Sequence, residues 1–181
     1  MDLIIENIDL KCSGISEGID LSFKEAIKVC LEINKHSQGK PFLIEGDIKK
    51  EYCIKWEPVT QQLFNSWLDH QVTTEFAACG IAAFIILNNT DYTIKKRSWK
   101  GTGFDYWLAD KKSEQEDLFQ NLAKLEVSGI LNDQEGKKLP ARIIKKINQI
   151  EKFQNKWKAP QAYIIVVEFS TPKSQVHLSN D

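Results

Sequence analysis

The sequence lacks a charge imbalance, a membrane-length apolar run, clustered cysteines or histidines, and a basic leader, and each absence removes a class of function. Its 181 residues carry 24 Lys and Arg against 25 Asp and Glu, a net charge of −1. Bulk electrostatics therefore does not draw the chain to nucleic acid or membrane, and any polyanion site has to be local. The longest apolar run, 81–87, stops at Asn88 and Asn89, well short of the roughly 20 residues a spanning helix needs. No membrane association is expected. The opening residues include Asp2, Glu6 and Asp9 where a secretory leader is basic and then apolar, so the cytoplasm is the expected location. Cys12, Cys30, Cys53 and Cys79 are scattered without C-x-x-C spacing, which points to free, mostly buried thiols and not to a zinc site or a disulfide framework. His36, His70 and His177 stand far apart and G-x-S-x-G is missing, leaving no serine or cysteine hydrolase signature. Gly101-Thr102-Gly103 has no third glycine and no following helix, so it is not a dinucleotide fingerprint. Its expected use is a tight turn or a close approach to phosphate. There is no internal repeat and no low-complexity tract.

What is present describes a folded domain: 42% of residues are hydrophobic, 10% aromatic and 27% charged. The pattern predicts a strand within 3–10 and a helix over 23–36, opened by a Ser22 to Glu25 capping box. A hairpin is expected over 41–56, turning at Glu45-Gly46-Asp47. Past Pro58, apolar residues from Leu63 to Ile86 recur at spacings of three and four, predicting one long helix that ends at Asn88-Asn89. Three strands follow, over 92–97, 104–109 and 125–130, with an exposed turn at 111–117. A helix over 140–156 comes next, with Ile143, Ile147, Ile150 and Phe153 on one face, and then an apolar strand over 162–169. The polar stretch 171–181 reads as a flexible tail. Trp56, Trp67, Trp107 and Trp157 read as core or rim anchors. The fold class expected is α/β (α+β): a mixed central sheet flanked by helices, with an annex over 1–57 packed on a core over 58–170.

Alternation along the second and third core strands carries the chemistry. Phe104, Tyr106 and Leu108 are predicted to face one way and Asp105 and Trp107 the other. In the next strand Leu125 and Val127 face one way and Lys124, Glu126 and Ser128 the other. With the two strands adjacent, Asp105 and Glu126 meet on one face. Converging carboxylates repel unless a positive charge sits between them, and oxygen ligands so placed suit a hard cation such as Mg2+ or Mn2+. Taken singly, Asp105 reads as a turn or strand-edge acid and Glu126 as a surface partner of Lys124.

These residues, in the order helix, strand, strand with Asp105, strand with Glu126, helix, strand, resemble the core of the PD-(D/E)XK or restriction-endonuclease-like nuclease superfamily over roughly 60–169. The resemblance implies an αβββαβ core in which Asp105 and Glu126 bind the metal, Val127 offers its carbonyl and Glu75 supplies an extra helical acid. The family places a lysine two residues after the second acid, and that position holds Ser128. Lys124 is the first substitute and Lys100 the second. The implied activity is magnesium-dependent hydrolysis of DNA phosphodiester bonds.

Lys95, Lys96, Arg97 and Lys100 cluster before Asp105 with Trp99 among them, a mixture that holds phosphate and stacks on a base. Arg142, Lys145, Lys146, Lys152 and Lys156 read as the outward face of an amphipathic helix. The alternative function is a catalytically inactive nuclease fold serving as a binding or scaffolding subunit of a nucleic-acid-handling or anti-phage defence complex. A protein partner or a homodimer stays open under both readings.

Overall fold

The structure, a computed structural model, describes residues 1–112, 123–133, 135–153 and 161–180. Its frame is one eight-stranded mixed sheet in the order β1-β3-β2-β8-β7-β6-β5-β4. The strands are β1 (Asp2–Ile4), β2 (Lys40–Gly46), β3 (Lys50–Lys55), β4 (Tyr92–Arg97), β5 (Tyr106–Asp110), β6 (Ala123–Ile130), β7 (Gln161–Glu168) and β8 (Lys173–Asn180). The helices are α1 (Glu17–Ile33), α2 (Gln61–Ser66), α3 (His70–Asn89) and α4 (Lys138–Phe153). The expected strand over 3–10 is short, because a 3-10 turn (Ile5–Asn7) follows β1 at once.

Local chemistry moves several boundaries. α1 begins at Glu17, after Ser16, and not at the Ser22 capping box. The Ser22 hydroxyl donates instead to the Gly18 carbonyl one turn back, which keeps Ser22 inside the helix. The single long helix expected after Pro58 is two. The Asp69 side chain accepts from the backbone N–H groups of Gln71 and Val72, at 3.0 and 3.2 Å, and starts a new helix there. α3 ends at Asn89, as the sequence indicates.

The largest correction concerns 171–181. Residues 173–180 are no tail but β8, antiparallel to β7 along its full length and parallel to β2. Strand β8 joins the segment 1–57 and the segment 58–170 into one sheet. Its composition misleads because only Val176 and Leu178 are apolar, whereas Ser174 and Val176 are both buried by strand pairing.

Helices cover both faces of the sheet. α1 and α3 share one core with Tyr106, Leu108, Leu125, Val127 and Ile165. On the opposite face α4 packs Ile143, Ile147 and Ile150 against Phe104, Trp107, Ala162 and Ile164. Phe104 therefore sits with Trp107 and not with Tyr106 and Leu108, because β5 begins at Tyr106 and Phe104 still belongs to the loop before it. Among the described residues α3 alone is, by length and composition, long enough and apolar enough to cross a membrane, but 61% of its most apolar 18-residue window is buried inside the protein. This is the pattern of a core helix. Gly129 on β6 lets α3 come close, since a Cβ there would stand 2.6 Å from the Thr74 carbonyl oxygen.

Strands β4, β5 and β6 form an antiparallel meander, and α4 carries the chain from β6 to a parallel β7. Of the exposed turn expected at 111–117, Lys111 and Lys112 are a turn, and 113–117 lies outside the described residues. Trp157 and the expected helix end at 156 lie outside them too.

Candidate active site

β5 and β6 pair only from Tyr106–Leu125 to Leu108–Ala123. Beyond that pairing Asp105 still donates its backbone N–H to the Leu125 carbonyl, at 2.9 Å. Its carboxylate, through Oδ2, then accepts the N–H of Val127 at 2.8 Å. The Asp105 side chain thus continues the ladder where the β5 backbone leaves it. Within a strand the N–H and C=O of one residue point to the same side, so the Val127 carbonyl also faces the gap beside Asp105. Here the acids come near each other: both line the same cavity, and the charge of Asp105 raises the proton affinity of Glu126.

Glu126, Lys124 and Ser128 share the sheet face that α4 covers, as alternation predicts, and the helix supplies partners for Glu126 and Ser128. Lys146 forms an ion pair with Glu126 Oε1. The Gln149 side-chain amide donates to the same oxygen at 3.1 Å and to the Gly103 carbonyl at 2.8 Å. Arg142 donates to Ser128 Oγ at 2.9 Å. Arg142, Lys146 and Gln149 recur at i, i+4 and i+7, a polar stripe beside the Ile143, Ile147, Ile150 stripe. The expectation that Arg142 and Lys146 point outward is therefore corrected. Burying the isoleucines rotates the adjacent stripe onto Glu126 and Ser128.

The acids hold protons more tightly than usual. Burial, then the neighbouring charge of Asp105, pushes Glu126 up to about 7 against the pull of Lys146. Burial likewise raises Asp105, opposed by the Val127 N–H and by Lys146. Two carboxyls in contact share the cost of ionising, so the pair titrates as a unit. Burial also pushes the Cys79 thiol, beside Asp105, up to about 12.

Two cavities open onto Asp105, and the smaller also reaches Glu126. One, of about 460 Å3, is lined by Arg97, Trp99, Lys100, Asp105, Glu126 and Lys146 among others. The second, of about 810 Å3, is lined by Glu75, Arg97, Asp105, Ser128, Arg142 and Lys146 among others, and His70 and Lys138 add to its basic wall. Both have Arg97, Asp105 and Lys146 in their walls, so they meet at Asp105.

The loop between β4 and β5 is held firmly. Thr102, fully buried, donates to the Trp99 and Phe104 carbonyls, each at 3.0 Å, and shares a 2.6 Å hydrogen bond with Ser98 Oγ. Gly101 and Gly103 take φ of +96° and +87°, the left-handed region that a side chain disfavours. This accounts for Gly-Thr-Gly as turn chemistry.

The remaining sequence-predicted residues divide. Arg97, Trp99 and Lys100 reach the cavities, whereas Lys95 and Lys96 stay on the edge strand β4 and line neither. Glu75 is exposed, accepts from Gln71 at 3.3 Å and lines the larger cavity. Among the described residues no three His, Cys, Asp or Glu side chains group closely enough to hold a metal, so Glu75 does not complete a three-acid cluster. Lys124 is 3% exposed and lines neither cavity. Glu168, the other fully buried acid of the sheet, is structural: its carboxylate accepts from the backbone N–H groups of Ser170 and Thr171 and from both hydroxyls, closing the β7–β8 turn. Compared with known proteins, the chain matches no family model, no curated protein and no solved structure.

Proposed function

We propose that the protein is a cytoplasmic, restriction-endonuclease-like nuclease that binds DNA and hydrolyses its phosphodiester bonds with Mg2+ or Mn2+. The observation that carries this reading is the half-buried Asp105 and the buried Glu126 in the wall of one cavity, with the Lys146 ammonium paired to Glu126. The element order α3-β4-β5-β6-α4-β7, with its antiparallel meander and parallel crossover, supports it as well.

The residues fit a hard divalent cation. Asp105, Glu126 and the Val127 carbonyl offer only oxygen, and the raised proton affinity of both acids marks a place short of positive charge. When bound, such a cation neutralises phosphate charge and makes water a better nucleophile. The chain's own residues do the rest. Arg97, Arg142 and Lys138 line the path of the phosphates and hold them by charge. Lys146 occupies the role that the resemblance gives to a lysine after the second acid, orienting the attacking water and stabilising the charge that develops on the phosphorus oxygens. Gln149 fixes Glu126 relative to the β4–β5 loop.

Incubation of the purified protein with DNA and Mg2+ or Mn2+ tests the reading. Cleavage that falls on the order of 100-fold or more in Asp105→Asn and Glu126→Gln, with both variants folded by circular dichroism, is the expected result. Cleavage unchanged in both variants, or none by the parent protein, rejects it in favour of a binding subunit.

A further inference from the structure

Trp99 is the exception among the described tryptophans. Trp56 and Trp107 are buried, and Trp67 packs on Phe76 and donates its indole N–H to Glu25. Trp99 is 62% exposed and is the sole aromatic among the exposed large apolar side chains of the described residues. Leaving that much apolar surface in water is unfavourable. Its position is equally particular. It lies in the wall of the smaller cavity with Lys100, Asp105, Glu126 and Lys146, on a loop whose backbone Thr102 and Gln149 pin in place. An exposed indole on a rigid support beside a cation is a base-stacking platform that needs no ordering when the ligand arrives.

A stacked base has to be unpaired, because bases inside a duplex already stack on one another. The acids add a second constraint. Glu126 is only 2% exposed, so a phosphate reaches it from within the groove and not from the flat flank of a double helix. The cavity beside Trp99, about 460 Å3, is of the size that takes a small ligand, within the ~300–1,000 Å3 range of such sites, and it continues past the acids to Arg142 and Lys138.

We propose that the ligand of this groove is a single strand of nucleic acid, one base stacked on Trp99 while the following phosphates pass over Asp105 and Glu126 to Arg142. The proposal deepens the nuclease reading, since it takes the phosphodiester to lie at the acid pair. It differs in what it forbids: an intact duplex does not use Trp99.

The test is an affinity measurement without cleavage. Fluorescently labelled single-stranded DNA, single-stranded RNA and blunt duplex DNA of one sequence are titrated in EDTA at one fixed salt concentration, with anisotropy as readout. The parent protein is expected to bind at least one single strand more tightly than the duplex. Trp99→Ala is expected to weaken single-strand binding about tenfold and leave duplex binding unchanged, with Trp99→Phe recovering most of the loss. The two single strands distinguish DNA from RNA as the source of the unpaired base. Duplex affinity equal to or above that of both single strands overturns the proposal, as does single-strand affinity unmoved by Trp99→Ala. Because nothing is cleaved, failure of the nuclease reading shows separately, as DNA hydrolysis that is absent or indifferent to Asp105→Asn.

Discussion

Lys146 on α4 is ion-paired with Glu126 on β6, across the interface between helix and sheet. The glutamate carboxylate is nearly inaccessible and the lysine side chain is 19% exposed, so the pair is held largely away from water. A buried pair is costly to half-remove, because the partner left behind has neither solvent nor counter-charge.

Lys146→Met is therefore expected to destabilise the protein at pH 8 by about 3 kcal/mol and to raise the proton affinity of Glu126 further. Adding Glu126→Gln to Lys146→Met should recover much of that loss. Urea unfolding of the two single variants and the double variant measures the coupling. Additive losses would place the lysine elsewhere.

Stability should fall as pH rises through the range in which Glu126 ionises. The carboxyl binds its proton near 7 in the folded protein against an ordinary 4.5. Between those values the folded state holds more protons than the unfolded state, so deprotonation favours unfolding. The contribution is lost from about pH 4.5 upward and is gone above about pH 7, on the order of 3 kcal/mol for a shift of this size. Asp105, also raised, adds in the same direction. Urea midpoints at pH 5 and pH 8 should differ less in Glu126→Gln than in the parent protein. An equal difference in both would show that Glu126 is not the group responsible.

Thiol chemistry should divide the four cysteines. Burial pushes Cys30 and Cys79 up to about 12, so neither offers a thiolate at pH 8. Cys30 is buried, whereas Cys12, Cys53 and Cys79 are partly exposed, so at Cys79 the raised proton affinity of the thiol is what slows the reaction. Native protein is expected to react with Ellman's reagent at no more than two sites, and urea-unfolded protein at four. Mass spectrometry after alkylation identifies which, and rapid labelling of Cys79 in folded protein would argue against a raised thiol proton affinity beside Asp105.

Removal of 173–181 should prevent folding. Strand β8 pairs with β7 and β2 on its two sides, so its loss exposes two unpaired edges in the middle of the sheet. Truncated protein is expected to be insoluble or to lack a cooperative thermal transition. A truncated chain that melts like the parent would restore the reading of 171–181 as a tail.

Strand periodicity made much of the core legible. Strand β4 occupies 92–97 as the alternation predicts, β5, β6 and β7 differ from expectation by one or two residues at their ends, and Glu126 and Ser128 share the face that α4 covers, whereas Asp105 lies in the loop before β5 and turns its carboxylate to the Val127 N–H. What failed depended on partners far away in the chain. Strand β8 looks polar because pairing with β7 and β2, and not its own side chains, holds it inside. The split between α2 and α3 rests on one capping carboxylate, Asp69, inside an otherwise continuous helical pattern. Lys146 and Gln149 were hidden in a charged helix face. Arg142, Lys146 and Gln149 at i, i+4 and i+7, next to the isoleucine stripe, were the available signal. That spacing fixes a face, but which strand the face meets depends on the crossover to β7. The three-acid cluster failed differently: Glu75 lies in the wall of the larger cavity but remains exposed and apart from the other two acids.

DNA hydrolysis in Mg2+ and in Mn2+ by the parent protein, Asp105→Asn, Lys146→Met and the exposed-face control Lys145→Met decides whether Asp105 and Lys146 form an active site. Cleavage by the parent protein and by Lys145→Met is expected, with losses on the order of 100-fold in the other two. Cleavage that survives in Asp105→Asn and Lys146→Met, or that falls equally in Lys145→Met, would contradict that assignment.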